Sequence, residues 1–531
     1  MKIIKTLCLS VCLVFALSAS AQLQPNKIDP KTTFQKFSTL IQLINYQYVE
    51  TADVEKLTED AIIAMLKNLD PHSVYIPKKD VKRINEPLIG NFEGVGIQFQ
   101  IYQDTIMVIA AVPGGPSDQL GVMSGDKIVK INDESSVGEK INNKFVFDRL
   151  RGPKGTYVKI SILRHGVDEL IDFNIKRDKI PLNSIDAAYK INSDIAYIKL
   201  SRFARTSVDE FKEALKPMIE EGADKLILDL RGNSGGYLDI AYNLTDELLP
   251  PDKLIVYTLG EKMPRQDFNS KGGGIFETGK LIVLIDEGSA SASEILSGAV
   301  QDWDRGIILG RRSFGKGLVQ RPFLLPDSSM VRITTAKYFT PSGRCIQKPF
   351  KGVEYRKEIT QRYKHGEMVH ADSIKFPDSL IYYTNNKRVV YGGGGIMPDY
   401  FIPMDTTFSS KYLIDISKKG ILNNFALYFV DNSREELLKT YSNDDDFIKN
   451  FPELNDDFIN RFATYAEENG VPRNEKDIET SKKYIYNVCK GLIARNLFEI
   501  NSYYKSIAEQ DDVLQNAIEI IQTDWAFKKL N

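Results

Sequence analysis

The sequence predicts a multidomain α+β protein in which a β-rich module precedes an α/β core, with helical regions at both ends. Apolar residues recur at helical spacing from about 30 to 88 and again from about 407 to the end. Short β-rich runs separated by Gly and Pro turns occupy about 90 to 178. From about 180 to 345, short continuous apolar runs alternate with helical stretches, which is typical of a largely parallel, buried sheet.

Length and composition are those of a folded protein with several domains. The chain has 531 residues, and its apolar share of 42%, with 25 Tyr and 27 Phe, is ample for several cores. Within the core, residues 346–390 are polar, aromatic and irregular, so no element is predicted there. We expect a signal peptide at 1–21, an N-terminal helical region at 22–88, a β-rich module at 89–178, the core at 179–405 and a C-terminal helical region at 406–531.

The first residues have the pattern of a secretory signal peptide. Lys2 and Lys5 precede an apolar run, Leu7–Leu17, and the small residues Ala19–Ala21 follow as a cleavage site. The run is shorter than the roughly 20 residues that a permanent membrane anchor requires. A lipid attachment at Cys12 is a weaker alternative, because the apolar run continues past it. We therefore expect an exported protein, soluble in the periplasm or cell envelope, without an integral membrane segment.

Charge and histidine content exclude several classes of function. Lys and Arg total 69 against 71 Asp and Glu, so the chain lacks the basic footprint of a nucleic-acid-binding protein. Histidines are too few and too badly placed for a Ser-His-Asp triad, and we expect no metal or cofactor. The histidines are His72, His165, His365 and His370. Cys345 and Cys489, the cysteines beyond the signal peptide, are expected to be unpaired.

A cluster of small residues follows the apolar run Leu281–Asp286. This cluster, Gly288–Glu294, contains three serines and opens the helical stretch Ile295–Val300. A hydroxyl group at the beginning of a helix lies in the positive field of the helix dipole, which favours a developing alkoxide or oxyanion. The simpler alternative is that these serines are only N-caps, since Ser is among the residues most favoured there.

The next strand and turn, Ser313–Gln320, adds a candidate base. Lys316 stands between Gly315 and Gly317, so no bulky neighbour prevents its enclosure in a site. Burial would lower the pKa of its amine from about 10.4 toward neutrality, as a general base for a serine requires. Because side chains alternate along a strand, Gln320 faces the same side and can orient the amine. The alternative is an ordinary surface lysine on a glycine turn.

The two motifs together resemble those of the C-terminal processing, or tail-specific, peptidases of serine protease family S41. The resemblance extends over nearly the whole chain beyond the signal peptide. Further fragments in family order are Leu69–Ser73, Asp229–Gly236, Tyr338–Arg344 and Gly395–Asp399. It implies a protease core of the crotonase and ClpP type. It also implies that Ser291 is the nucleophile, Lys316 the general base and Gln320 the residue that orients the base, in an acyl-transfer mechanism.

The resemblance extends to the groups that support the nucleophile. The amide of Ala292 and one amide from the turn at Gly235 and Gly236 match the oxyanion hole, and the sequence leaves open which glycine donates. Asp302 matches an acid that the family sometimes counts as a helper. A structural carboxylate that binds the backbone or Arg305 is an equal alternative for Asp302.

Residues Ala111–Gly121 and Ser124–Asn132 resemble a PDZ domain of the bacterial protease type, with a short helix, a Gly-Asp turn and a strand. This resemblance implies a loop whose amides capture the terminal carboxylate of a peptide that adds as a strand. The loop consists of Gly94, Val95, Gly96 and Ile97. In this family the PDZ domain can also gate the active site, and Arg151 falls where a switch residue would lie, although a packing role is the default.

The sequence thus predicts an exported serine endopeptidase of the C-terminal processing type with a Ser-Lys dyad. Its partners would be envelope proteins and peptides with free C-termini, and the family resemblance implies a homodimer through terminal helices or an adaptor protein. The alternative is a catalytically inactive, PDZ-containing peptide-binding scaffold or chaperone. Retention of Ser291, Lys316 and Gln320 argues against that alternative.

Overall fold

The structure is a computed structural model that describes residues 29–102, 104–164, 166–350 and 355–530. The signal peptide predicted at 1–21 lies outside the described residues. The chain divides into two units, one that ends at Leu69 and one that begins at Asp70. Across the described residues, every helix is too short or too polar to cross a bilayer.

The first unit contains two helices, α1 (Pro30–Gln47) and α2 (Val54–Lys67). Asp29 and Asp53 cap them, and their carboxylates accept backbone amides 3.0 Å and 2.9 Å away. Every residue of α1 is exposed or half-buried, and Leu66 is the buried residue of α2.

The second unit begins with a short strand inside the region predicted to be helical. The first elements are β1 (Val74–Ile76), α3 (Lys78–Ile89) and β2 (Asn91–Gly94). The strand forms because its residues pair antiparallel with a distant strand around Val331, a partner that local periodicity does not reveal.

An inserted β domain, residues 91–181, follows. Its further elements are β3 (Ile97–Tyr102), β4 (Thr105–Ala111), α4 (Pro116–Gln119), β5 (Lys127–Ile131), β6 (Glu134–Ser135), α5 (Asn143–Leu150), β7 (Tyr157–Leu163), β8 (Ile171–Lys176) and β9 (Asp178–Pro181). The main sheet has the order β3-β4-β5-β7-β8 with β6 on β5, and β2 pairs with β9. Ile106, Ile128 and Ile160 are fully buried in its core, as the alternation of apolar residues predicts.

The core of the unit contains two sheets. Its elements are β10 (Ile185–Lys190), β11 (Ile195–Leu200), α6 (Ser207–Glu220), β12 (Lys225–Asp229), α7 (Leu238–Asp246), β13 (Leu254–Gly260), β14 (Met263–Asn269), β15 (Lys280–Ile285), α8 (Ala292–Asp302), β16 (Ile307–Gly310), β17 (Leu318–Leu324), β18 (Met330–Phe339), α9 (Glu358–Lys364), β19 (Ile381–Tyr383), β20 (Val389–Tyr391) and β21 (Tyr400–Phe401). The first sheet has the order β10-β11-β12-β15-β16-β21 and is parallel from β11 onward. The second has the order β1-β18-β13-β14, with β17 on β18.

Both faces of the first sheet are buried, which explains its continuous apolar strands. Leu226 and Leu228 of β12 pack with residues of α6, α7 and α8. Ile227, which points the other way, packs with Leu514 and Ala517 near the C-terminus. The mixed α/β character and the parallel sheet that the sequence predicts are therefore present.

The C-terminal region is helical, as predicted. Its helices are α10 (Lys411–Lys418), α11 (Ile421–Thr440), α12 (Asp444–Asn450), α13 (Asp456–Glu468), α14 (Glu475–Leu497), α15 (Ile500–Ile507), α16 (Asp512–Gln522) and α17 (Trp525–Lys528). The segment 346–390, where no element was predicted, contains α9, short 3₁₀ turns and the hairpin of β19 and β20. Cys345 and Cys489 are free thiols, which confirms that prediction.

Candidate active site

Ser291 lies at a strained turn between β15 and α8. Its backbone φ is 55° and its ψ is −110°, a conformation that a non-glycine residue keeps only where its surroundings hold it. The turn places Ser291 at the N-cap of α8. Ala292 is the first residue of the helix, so its amide has no intrahelical carbonyl to bind.

The carboxylate of Glu294 holds the two candidate segments together. Its Oε2 accepts the amide of Ser291 at 2.8 Å and the amide of Lys316 at 2.9 Å. Its Oε1 accepts the amide of Gly315 at 2.7 Å and the hydroxyl of Ser313 at 2.5 Å. Glu294 is fully buried, and burial raises the pKa of its carboxyl although these four donors oppose the shift.

The hydroxyl of Tyr338 also contacts both of these segments. It is 3.1 Å from the carbonyl oxygen of Ser291 and 2.6 Å from that of Lys316. Because Tyr338 is 1% exposed, these main-chain oxygens are where its buried hydroxyl finds partners. Backbone atoms of Ser291 and Lys316 are thus fixed near each other by two separate side chains.

Lys316 and Gln320 are hydrogen-bonded, and a third segment holds the glutamine. The Lys316 Nζ donates to the Gln320 Oε1 at 3.0 Å. The Gln320 Nε2 donates to the main-chain carbonyl of His72. Strand alternation alone does not produce this arrangement, because Lys316 precedes β17 and the pairing of β17 with β18 shifts register between Val319 and Gln320.

The surroundings of Lys316 favour its uncharged form. Burial lowers the pKa of the amine below its ordinary value of 10.5, and the positive charge of Arg332 acts in the same direction. The carboxylates of Glu294 and Asp70 oppose the shift without reversing it. The pKa of Lys316 therefore moves in the direction that a general base requires.

One open cavity of about 410 Å³ connects the candidate groups. It is large enough for part of an extended peptide. Apolar side chains, among them Leu318 and Met330, line it together with polar ones. Its lining includes Ser291, Ala292, Lys316, Gln320, Gly235 and Gly236. The structure therefore brings together all the residues that the sequence analysis assigned to the dyad and the oxyanion hole.

The turn after β12 approaches Ser291 closely. A side chain at Gly235 would come within 3.0 Å of the Ser291 Cβ and the Ala292 amide nitrogen, and its φ is +103°, so the turn requires glycine. The Gly235 amide donates to the Asn233 Oδ1 at 2.9 Å. Gly236 forms an isolated parallel β-bridge with Phe203. A Cβ atom at position 236 would lie 2.0 Å from the Phe203 carbonyl oxygen.

Asp302 lies away from these groups. It is the last residue of α8, about 16 Å from Ser291 along the helix axis, and it is not among the residues that line the cavity. Its carboxylate pairs with the fully buried Arg344 at 2.7 Å and accepts the Ser342 amide at 2.9 Å. Asp302 is therefore a buried structural carboxylate whose partner is Arg344 rather than Arg305.

The loop Gly94–Ile97 lies in the inserted β domain beside helix α5. Val95, Gly96 and Ile97 of this loop line a cavity of only about 40 Å³, little more than the space of one water molecule. Phe99, Phe147 and Arg151 also line it. The guanidinium carbon of Arg151 lies 4.6 Å from the Phe147 ring centroid and 4.6 Å from that of Phe92. Arg151 also forms an ion pair with Glu86 of α3, so its side chain is held beside this small cavity.

Three groups in the site were not identified from the sequence: the Glu294 carboxylate, the Tyr338 hydroxyl and the His72 carbonyl. Glu294 had a visible signal, because Ser291 and Glu294 have the spacing of a capping box. Tyr338 and the His72 carbonyl had no local signal, since Tyr338 contacts Ser291 across 47 residues and His72 contacts Gln320 across 248. In the part of the chain that the structure describes, no group of His, Cys, Asp or Glu is placed to hold a metal ion.

Comparison with known families gives three matches. Residues 194–358 match peptidase family S41, and this range contains both Ser291 and Lys316. Residues 15–80 match the family described as the N-terminal domain of the activating protease CtpB. Residues 412–499 match a family of unknown function, DUF8443.

Two curated relatives and one solved structure are similar to this chain. A carboxy-terminal-processing protease of Bartonella bacilliformis is 38% identical over 317 residues, which cover 59% of this chain and 72% of the relative. The carboxy-terminal processing protease CtpB of Bacillus subtilis is 33% identical over 381 residues, covering 70% and 76% respectively. A solved photosystem II D1 C-terminal processing protease is 27% identical with a TM-score of 0.34, covering 60% of this chain and 85% of that one.

Proposed function

Because this chain belongs to peptidase family S41, among the carboxy-terminal processing proteases, we propose that it is an exported serine endopeptidase with Ser291 as nucleophile and Lys316 as general base. The observation that carries the proposal is the cavity that Ser291 and Lys316 line together, with their backbone amides both bound by the buried Glu294. The depressed pKa of Lys316 supports the same assignment, because a charged ammonium cannot accept the serine proton.

The chemistry would proceed in two acyl-transfer steps. The uncharged Lys316 amine takes the proton from the Ser291 hydroxyl while the Oγ attacks the substrate carbonyl carbon. As the tetrahedral intermediate collapses, the C–N bond breaks and the Lys316 ammonium gives its proton to the departing amine. A water molecule then attacks the Ser291 ester, with Lys316 again accepting the proton. The bond between the acyl carbon and the Ser291 Oγ breaks, and the Lys316 ammonium returns the proton to that oxygen. Gln320 keeps the amine directed, since its Oε1 accepts one N–H.

The oxyanion would be held by the amides of Ala292 and Gly236. Ala292 supplies the first amide of α8, at the positive end of the helix dipole. Of the two candidate glycines, Gly235 already donates its amide to Asn233, so Gly236 is the more suitable second donor. Donors fixed in this way stabilise negative charge without reorganisation during the reaction. A helper role for Asp302 has no support, because Arg344 and Ser342 bind its carboxylate.

Substrate capture belongs, in this proposal, to a PDZ domain at 89–178. The loop of Gly94, Val95, Gly96 and Ile97 would bind the C-terminal carboxylate of an envelope protein that adds as a strand. The cavity beside Arg151 is only about 40 Å³, so in this proposal it would have to widen before a peptide side chain could enter. The catalytic core at 179–405 would have the crotonase and ClpP type of α/β fold, with the export signal at 1–21 directing the enzyme to the periplasm or cell envelope.

Assembly through terminal helices is also part of the proposal. In the first unit, α1 buries none of its residues, and Phe34, Leu40 and Leu43 are 73%, 52% and 54% exposed. Apolar surface of this extent on a two-helix unit is a candidate interface. A second copy of the chain is the proposed occupant, and an adaptor protein is the alternative.

Cleavage of an unfolded protein by purified variants tests the dyad. Ser291→Ala and Lys316→Ala are each expected to abolish cleavage while circular dichroism and thermal unfolding show an intact fold. Lys337→Ala, which changes an exposed lysine on β18, serves as the matched control and should retain activity. Full activity in either dyad variant would refute the assignment.

Amidation of a substrate C-terminus should weaken its cleavage, and equal cleavage of both forms would remove the carboxylate-capture role.

A further inference from the structure

The turn Asp70–Ser73 has no role in the function proposed so far, yet it contacts the candidate catalytic groups. The main-chain carbonyl of His72 accepts a hydrogen bond from the Gln320 Nε2. The opposite end of the same amide, the Gln320 Oε1, accepts from the Lys316 Nζ at 3.0 Å. One glutamine therefore connects this turn to the candidate base.

The His72 carbonyl determines which end of the Gln320 amide faces Lys316. A carbonyl oxygen only accepts hydrogen bonds, so it selects the NH₂ end of the glutamine and leaves the oxygen end for the lysine. When the uncharged Lys316 amine donates one N–H to the Gln320 Oε1, its lone pair points away from that oxygen. The position of the glutamine therefore sets the direction of the lone pair. Displacement of the carbonyl would free the amide to rotate and would leave the amine undirected.

Asp70 builds the turn that carries this carbonyl. Its Oδ1 accepts the His72 amide at 2.8 Å and the Ser73 amide at 2.9 Å, and its Oδ2 accepts the Ser73 hydroxyl at 2.6 Å. Burial disfavours the ionised form, but these hydrogen bonds outweigh it and lower the pKa of Asp70. The Ser73 Oγ in turn accepts the Thr334 amide of β18 at 3.2 Å.

We propose that Asp70 is a positioning residue for the dyad: it holds the turn whose His72 carbonyl orients Gln320 toward Lys316. This inference rests on the proposed function, because it assigns Asp70 a task only if Lys316 is the base. Asp70 lies before residues 194–358, the part of the chain that matches the peptidase family, so the catalytic arrangement draws on a segment outside that match.

The charges around Lys316 allow a second measurement to test the proposal, namely the pH at which Lys316 releases its proton. Glu294 from α8 and Asp70 from the turn favour the ammonium form, and Arg332 from β18 opposes it. The nearby His72 is uncharged at neutral pH, because burial, reinforced by Lys316, lowers its pKa to about 4. Removal of the Asp70 charge therefore makes the ammonium less stable, and Lys316 should release its proton at a lower pH.

Asp70→Asn tests the proposal, with Asp405→Asn as the matched control. Asp405 forms a similar turn, in which its Oδ1 accepts the Thr407 amide at 2.8 Å and the Thr407 hydroxyl at 2.7 Å, and it lies outside the cavity lining. We expect Asp70→Asn to lower kcat on the order of 10- to 100-fold with KM unchanged, since misplaced groups lose rates of this size. The acid limb of its pH–rate profile should move to lower pH, and Asp405→Asn should match the wild type in both.

The outcomes separate this inference from the proposed function. If Asp70→Asn keeps the wild-type kcat and acid limb while Ser291→Ala is inactive, the positioning role is wrong and the dyad stands. If Ser291→Ala remains active, the proposed function itself fails. A fall in kcat without any shift of the acid limb would assign Asp70 a purely structural role and overturn the proposal. Should Asp70→Asn not fold, Ser73→Ala removes the hydroxyl bound to the carboxylate but keeps its charge. It should therefore lower kcat with KM unchanged and leave the acid limb in place, and a wild-type kcat in this variant would overturn the proposal.

Discussion

Burial of the Lys316 amine gives the enzyme an expected pH dependence. Because its pKa in the folded state is lowered from 10.5, the uncharged fraction rises with pH through a midpoint below that value. We expect kcat/KM to increase over the same range, and Lys316→Arg to be inactive because a guanidinium keeps its proton. Initial rates of peptide cleavage measured across pH check this, and a rate that is independent of pH below 10.5 would contradict it.

The same shift affects stability with a defined sign. Between the lowered pKa and 10.5, the unfolded chain binds a proton at Lys316 that the folded protein has released. The contribution of this residue to the free energy of unfolding therefore rises with pH in that window. Lys316→Met, which cannot titrate, should show a smaller rise than the wild type when urea unfolding is measured at several pH values. An identical rise in both proteins would contradict the assigned pKa direction.

Glu294 should matter for stability as well as for activity. Glu294→Gln replaces one acceptor oxygen with an NH₂ group that faces buried N–H or O–H donors. We expect a loss of about 1–3 kcal/mol in the free energy of unfolding and a large loss of kcat. Glu277→Gln is the control, because Glu277 also accepts a backbone amide, that of Gly274 at 2.7 Å, but lies outside the active-site cavity. Equal effects of the two changes would contradict a special role for Glu294.

The candidate catalytic residues that could be predicted from the sequence are those that stand in short, recognisable motifs. Ser291, Lys316 and Gln320 stand in short glycine- and serine-rich patterns, and the structure brings them to one cavity. The strained φ of Ser291 and the contact of Tyr338 could not be predicted, because each depends on segments far away in the chain. For Asp302, the expected binding of a backbone amide is present in its contact with Ser342. Its ion pair could not be predicted, because Arg344 meets Asp302 across 42 residues, whereas Arg305 is close in sequence.

Among the secondary-structure elements, α16 of the C-terminal region is bound to the turn that follows β12 and contains Gly235. Arg231 forms two hydrogen bonds with Asp511, the N-cap of α16, at 2.8 Å and 2.6 Å. Arg231 also pairs with the fully buried Asp229 at 2.6 Å. The side chain at the start of the glycine turn is therefore held by carboxylates from two different elements.

Removal of Asp511 should be costly because it leaves Arg231 with incomplete charge compensation. We expect Asp511→Ala to lower the free energy of unfolding by roughly 3 kcal/mol. This is the lower end of the cost of breaking a buried ion pair, because solvent screens the partly exposed charges. Asp524→Ala is the control, because Asp524 pairs with Lys280 but is 75% exposed, so its loss should cost about 0–1 kcal/mol. Urea denaturation of both variants measures the difference, and equal costs would contradict the buried character of the Arg231 pair.

Elements were predictable where the periodicity is strong and local. The parallel strands β12 and β15 and helix α8 appear where apolar runs and the serine cluster indicate them. The strand β1 was missed because its hydrogen-bond partner is β18, more than 250 residues away. The short elements of 346–390 were missed because the segment is polar and irregular in pattern, although β19 and β20 pair with each other.

Across the second unit, the inserted β domain and the C-terminal helices share one hydrophobic core. Tyr102 and Met107 of the β domain belong to the same buried cluster as Phe425 of α11. Lys127 and Asp431 add an ion pair at 3.2 Å. The β domain is therefore packed against the C-terminal helices over part of its surface, although the sequence predicts the two as separate regions, and any movement of the β domain must disrupt these contacts or carry the helices with it.

The exposed apolar side chains of the first unit lead to a prediction about assembly. If α1 and α2 pair with those of a second copy, a charge introduced at Leu40 would be buried without a partner in the dimer. We expect wild-type protein to have the mass of a dimer in light scattering after size-exclusion chromatography, and Leu40→Asp to have the mass of a monomer. Leu438→Asp is the matched control, because Leu438 is 46% exposed against 52% for Leu40 but lies on α11, and it should remain dimeric. A monomeric wild type would contradict the proposed dimer. A dimer that persists in Leu40→Asp would show that its interface does not include the apolar surface of α1.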